Sequence, residues 1–210
     1  MSPTYVQPDQ HVGHSGPLVR RLDDTRGTWA MALFISTEAM LFVCLFFAYY
    51  YVEKGNQRWM VEVPPHLHYA VPIFGVLVAS AGTLFWGQKQ LKKAKVKPAV
   101  WGLVATIVLA LGSLALEWFD FTEQELHLTP DTDAYGSIFY TIDGLHVAHL
   151  VLGILMLFWL LALSRRWWRA APYTPFQPYL NVALYWYFVV ALWVVVLCIL
   201  YIAPNIYRAV

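Results

Sequence analysis

The chain has 210 residues, 59% of them hydrophobic and only 13% charged, with ten tryptophans and a formal net charge of +1. Soluble domains carry about 25% charged residues, so this is the composition of a membrane protein. The net charge argues neither for nor against nucleic acid, but the long apolar runs exclude a soluble nucleic-acid binder.

Residues 1–27 are polar and turn-rich, with Pro3, Pro8, Gly13, Gly16 and Pro17, and they lack the apolar core of a signal peptide. They are expected to form a cytoplasmic tail in which His11 and His14 are solvated rather than metal-bound. Five stretches then reach the roughly 20 apolar residues that a membrane span requires. These are Thr28–Val52, Tyr69–Leu91, Pro98–Trp118, Tyr135–Leu163 and Tyr179–Ile202. The expected fold is all-α, a bundle of five transmembrane helices over residues 28–203, with a short external C-terminus at 204–210. Pro72 and Pro98 fall in first turns, where proline is tolerated. Phe119–Ala134 reads as an acidic loop. Cys44 and Cys198 lie inside apolar segments with no CxxC or CxxCH spacing, as small core residues rather than disulfide, haem or zinc ligands.

Basic residues set the orientation. Arg20, Arg21 and Arg26, the five lysines between Lys89 and Lys97, and Arg165, Arg166 and Arg169 fall on one side; Lys54, Arg58 and Arg208 fall on the other. Eleven against three places the N-terminus in the cytoplasm and the C-terminus outside. Tyr49–Tyr51, Trp118, Trp167–Trp168 and Tyr201 sit near span ends, as interfacial anchors do.

The residues that could carry chemistry are few. Glu38 lies about 15 Å into the first span, near mid-membrane. A charge there costs about 2.5–3.5 kcal/mol even on a mild insertion scale, so the neutral acid is the expected resting form. It is either a functional carboxyl on a buried face or a structural hydrogen-bond donor. Glu117 closes the third span beside Trp118 and reads as an interfacial carboxylate in reach of water. Asp143, His146 and His149 fan over about 120° of the fourth span, among the small residues Gly136, Ser137, Gly144 and Gly153. That span has one polar, close-packed side that must be buried against protein. The preferred reading of its polar groups is interhelical hydrogen bonding. A metal would need further ligands from facing helices, and Glu38 is the only obvious inner one. Both membrane histidines lie on one helix, so axial haem ligation from two spans is not available. No nucleophile–base pair or phosphate loop appears. On these grounds the chain is expected to have no catalytic, cofactor or metal residues of its own.

Several motifs then resemble one family. Tyr135-Gly136-Ser137, Phe139, Gly144-Leu145-His146 and His149 are similar to the YGSxFF…TGFHGxH helix of subunit III of haem–copper oxidases. The run Ser36-Thr37-Glu38-Ala39-Met40-Leu41-Phe42 resembles the family's SSExMxF helix. Leu116-Glu117-Trp118 resembles its YEW element, and Tyr185-Trp186, Phe188 and Trp193 fall on its YWHFVDVVW. Tyr187 and Val190 replace that motif's His and Asp, and Asp143 stands where Thr is usual. The likeness covers nearly all of residues 28–203 and fits the five-span bacterial form.

The resemblance implies a subunit without redox cofactors in a complex that reduces dioxygen to water and pumps protons. Haem and copper would lie in partner chains. This chain would pack directly against subunit I, with subunit II and other respiratory subunits in the same complex. It would lie in the bacterial plasma membrane, bind phospholipid in a cleft and sustain proton uptake by the catalytic subunit. Gly136, Ser137, Gly144, Gly153, Trp186 and Trp193 would serve subunit or lipid packing. The alternative within the resemblance is the related accessory subunit of nitric oxide reductases. Two other classes remain: a stand-alone membrane enzyme, which requires a metal at Glu38, Asp143, His146 and His149, and a small transporter, for which no inverted repeat is visible.

Overall fold

A computed structural model describes residues 17–55, 67–125, 134–167 and 176–203. The basic residues Arg58, Arg169 and Arg208, the anchor Trp168, His11, His14 and the C-terminal 204–210 segment lie outside the described residues. Five helices follow one another: α1 (Pro17–Gly55), α2 (Leu67–Lys92), α3 (Val96–Glu125), α4 (Ala134–Trp167) and α5 (Phe176–Val196), the last continuing into a π turn at Leu197–Ile202. All five are long and apolar enough to cross a membrane. The protein is an all-α, multi-pass membrane bundle.

Heptad spacing builds its interior. On α2 the buried positions Ala70, Ile73, Leu77, Ser80, Leu84, Gly87 and Leu91 alternate three and four residues apart. On α3 the buried run Ala99, Leu103, Thr106, Ala110, Ser113, Glu117 and Asp120 repeats the pattern. Such seams pack knobs into holes, and α2 and α3 form the most extensive helix pair. At their crossing a Cβ on Gly102 would lie 3.0 Å from the Gly87 Cα and 3.1 Å from the Thr83 carbonyl oxygen. Only hydrogen fits there. One turn away the Thr83 and Thr106 hydroxyls share a 2.8 Å hydrogen bond. Between the two helices, the Lys95 N–H donates to the Gln90 carbonyl (3.0 Å) and the Ala94 N–H to that of Leu91 (2.9 Å). This helix-ending loop puts Ala94 at φ 57°, where glycine is more usual.

Helix α5 is the centre, touching α1, α2 and α4. Its Trp186 and Trp193 are fully buried. The Trp186 indole N–H donates to the Ser80 hydroxyl at 3.0 Å, and Tyr179 donates to the Leu84 carbonyl at 3.0 Å, so α5 is tied to α2 at two levels. Helix α1 is the outer member, laid on α5 and α4 with Trp29, Leu33, Met40 and Phe47 turned outward.

Four expectations are corrected. Cys44 and Cys198, read as small core residues, are both exposed, because each falls on the outward side of its helix. Helix α3 runs on through Asp120 to Glu125, so the acidic stretch begins as helix rather than loop. Pro72 lies in the second turn of α2, because that helix starts at Leu67. Tyr49 and Tyr201, placed as interfacial anchors by their position near span ends, are 2% and 0% exposed and belong to the core. Trp118, at 70% exposed, does face outward.

Candidate functional site: two histidine–carboxyl pairs on α4

Helix α4 carries its own heptad seam, and Asp143, His146, Leu150 and Gly153 are consecutive members of it. His149 sits one position off that line. Three residues turn a helix by about 300°, so the two imidazoles leave α4 in directions roughly 60° apart. That offset sends them to different neighbours.

His149 turns to α1. Its Nε2 is 2.9 Å from Glu38 Oε2, and its Nδ1 is 2.6 Å from the Leu145 carbonyl oxygen one turn back. A carbonyl only accepts, so Nδ1 carries a proton and donates it. Nε2 therefore faces the Glu38 carboxyl across a single shared proton, whichever atom holds it. Phe42, buried on α1, sets its ring edge-on to the imidazole at 5.2 Å. Glu38 lies about 18 Å into the Arg26–Gly55 span. Its side chain is 22% exposed and that of His149 10%, so the pair lies at the seam between α1 and α4.

His146 turns inward, to α3 and α5. Its Nδ1 is 3.2 Å from Glu117 Oε1 and its Nε2 is 3.4 Å from the Val189 carbonyl oxygen. The carbonyl again requires the proton on the nitrogen facing it, leaving Nδ1 to share one with Glu117. The Trp193 ring lies against this imidazole at 4.8 Å between centroids. Asp143, one turn toward the start of α4, is 2% exposed and interacts electrostatically with Glu117, Asp120 and His146. Asp120 Oδ2 accepts a 2.6 Å hydrogen bond from the Tyr201 hydroxyl on the π turn.

The sequence grouped Glu38, Asp143, His146 and His149 as one conceivable set, and the helix splits it in two. Glu117, read as an interfacial carboxylate in reach of water, is 2% exposed. Asp120 was not singled out, and Tyr201 was read only as an interfacial anchor. The three-and-four spacing from Thr106 through Ser113 to Glu117, extended by one step, lands on Asp120 and was the available clue. Among the described residues, no group of three or more His, Cys, Asp or Glu is arranged to hold a metal ion.

The packing residues also sort themselves. A Cβ on Gly153 would lie 2.9 Å from the Trp186 ring, so these two close α4 onto α5 within this chain. Gly136 is buried and Ser137 exposed. Gly144 has open space before it and lines a cleft of about 590 Å³ between α3 and α4, with Leu111, Leu114, Glu117, Trp118 and Val147. Tyr187, in place of the expected His, reaches Gln88 Oε1 at 3.5 Å, while Val190 is buried among apolar neighbours.

Five apolar, membrane-spanning helices whose buried histidines pair with carboxyls on neighbouring helices define an integral-membrane bundle. The chain belongs to the cytochrome c oxidase subunit III family, whose model matches residues 21–204. It is 27% identical over 173 residues to a probable cytochrome c oxidase subunit 3 of Mycobacterium leprae, covering 80% of this chain and 84% of the relative. Against cytochrome c oxidase subunit 3 of Synechocystis it is 24% identical over 204 residues, 96% of this chain and 83% of the relative. Against that of the lancelet Branchiostoma lanceolatum it is 28% identical over 171 residues, 78% of this chain but 64% of the relative, just under two thirds of that protein's length.

Proposed function

We propose that this chain is the non-catalytic third subunit of a respiratory haem–copper oxidase that reduces dioxygen to water with proton pumping. The observation that carries the reading is the family match across residues 21–204, which takes in all five helices. Haem and copper belong to partner chains, with subunit I packed directly against this one and subunit II in the same complex. The outward apolar face of α1 and the α3–α4 cleft, lined almost wholly by carbon, suit subunit contact and bound phospholipid. The test is removal of the chain from the complex. The haem spectrum should stay intact and initial turnover substantial, while activity decays faster during turnover and proton uptake slows at higher pH. Normal long-term turnover without the chain would count against the supporting role.

The complex lies in the bacterial plasma membrane with the N-terminus of this chain in the cytoplasm, a reading supported by the eleven-to-three distribution of basic residues. A reporter fused after Arg26 or within Lys89–Lys97 is expected to read cytoplasmic, and one within Glu123–Asp133 external. Finding those two loops on the same side would end the five-span topology.

A further inference from the structure

Where α3 ends and α4 begins, the bundle buries more ionisable groups than interhelical hydrogen bonding needs. Glu117 and Asp120 come from α3, Asp143 and His146 from α4, and Tyr201 from the π turn after α5; each is at most 2% exposed. Asp143 interacts electrostatically with Glu117, Asp120 and His146, and Tyr201 with all three carboxyls, so the five form one cluster. The His146–Glu117 and Tyr201–Asp120 hydrogen bonds satisfy only part of it. Among the described residues, Glu117 Oε2, Asp143 Oδ1 and the Trp193 indole N–H are buried with no hydrogen-bond partner.

Charge balance limits what this cluster can be. Three carboxyls face one imidazole, and the cations with described side chains lie elsewhere: Arg26 is exposed at the start of the first span, and Lys54, Lys89, Lys92, Lys93, Lys95 and Lys97 lie at helix ends or in the turn between α2 and α3. The other titratable pair on α4, His149 with Glu38 of α1, points to a different neighbour and offers no free cation. Three ionised carboxylates cannot be held in an apolar bundle against at most one imidazolium. Protons must stay on the cluster. The orphaned atoms lie on cluster members and on Trp193, whose ring packs on His146, and a buried water needs two to four such polar partners.

We propose that Glu117, Asp120, Asp143 and His146, closed by Tyr201, form a buried site that binds water and shares protons over it, a proton store within this subunit. The store rests on the chain's own geometry and not on which complex carries it. Tyr201 is its positioning residue: its hydroxyl donates to Asp120 Oδ2 and leaves the other carboxyls to the shared protons. The π turn matters here, since such turns widen a helix locally and recur at functional sites.

Infrared spectroscopy of the purified complex containing the full chain tests this, in ordinary and heavy water at neutral pH. The expected spectrum holds protonated-carboxyl bands that shift on deuteration. Asp143→Asn and Glu117→Gln should each remove one such band while the haem spectrum is unchanged. Should either near-isosteric variant fail to assemble, Tyr201→Phe decides, because loss of the hydroxyl should shift a remaining protonated-carboxyl band without removing it. Only carboxylate bands in the unsubstituted protein, or protonated bands that none of these three substitutions alters, would overturn the store.

Discussion

Replacing Trp186 with alanine is expected to destabilise the bundle by about 3–5 kcal/mol, the range for deleting a fully buried large aromatic. The indole is completely buried, lies on the bare backbone of Gly153 and donates to Ser80 on α2. One side chain therefore joins three helices. Its loss opens a cavity that lipid-free packing cannot fill and orphans the Ser80 contact. In a bilayer, where helices gain little from leaving water, such packing is the main attraction between them. Trp186→Phe keeps most of the volume and loses the N–H, so it should cost about 1 kcal/mol, the scale of one hydrogen bond. The converse change makes the same point: Gly153→Leu drives a side chain into an anchored ring and should cost about as much as other overpacked cores, 1–3 kcal/mol or more. Denaturant titration of the detergent-solubilised protein measures all three. A Trp186→Ala protein as stable as Trp186→Phe would show that the ring is not the keystone.

His149→Leu should loosen α1 from the bundle at a cost of about 2 kcal/mol. Glu38 would lose its partner near mid-membrane, where an unpartnered polar group is expensive, and Phe42 would lose the ring it packs against. The conservative change behaves differently. Because the Leu145 carbonyl holds the proton on Nδ1, Nε2 can accept from an amide, so Glu38→Gln keeps the contact and should be nearly neutral. Glu38→Leu strands the imidazole and should resemble His149→Leu. The double variant Glu38→Leu/His149→Leu removes both polar groups and should recover much of the loss, which is the signature of a direct pair. Equal destabilisation by Glu38→Gln and His149→Leu would exclude the shared proton as the bond. Crosslinking of α1 to α5 through cysteines at Thr28 and Asn181, whose side chains meet at 3.3 Å, reports the detachment separately.

The candidate site was legible in part. Glu38, Asp143, His146 and His149 stand out because an ionisable residue inside an apolar run must find a buried partner. Their grouping was not legible, since an i, i+3 pair of histidines shares a general side of a helix and still addresses two neighbours. Asp120 and Tyr201 were hidden by position. An acid after the last apolar residue looks like the start of a loop, and a tyrosine near a span end looks like an interfacial anchor. Burial is set by what packs opposite, and a single strand of sequence does not carry that.

Composition and run length alone decide that this is a membrane protein of five helices, because hydrocarbon tolerates only internally hydrogen-bonded segments of about 20 apolar residues. Heptad spacing in α2, α3 and α4 also lies open in the sequence, since a seam needs its small and apolar residues at fixed intervals. Which seam meets which is a tertiary matter. Gly102 lies on Gly87, Trp186 on Gly153, His149 on Glu38 and Tyr201 on Asp120 across separations that no local pattern specifies. Those partners follow from close fit and from the need of each buried donor to find an acceptor, both satisfied only once the five helices have come together.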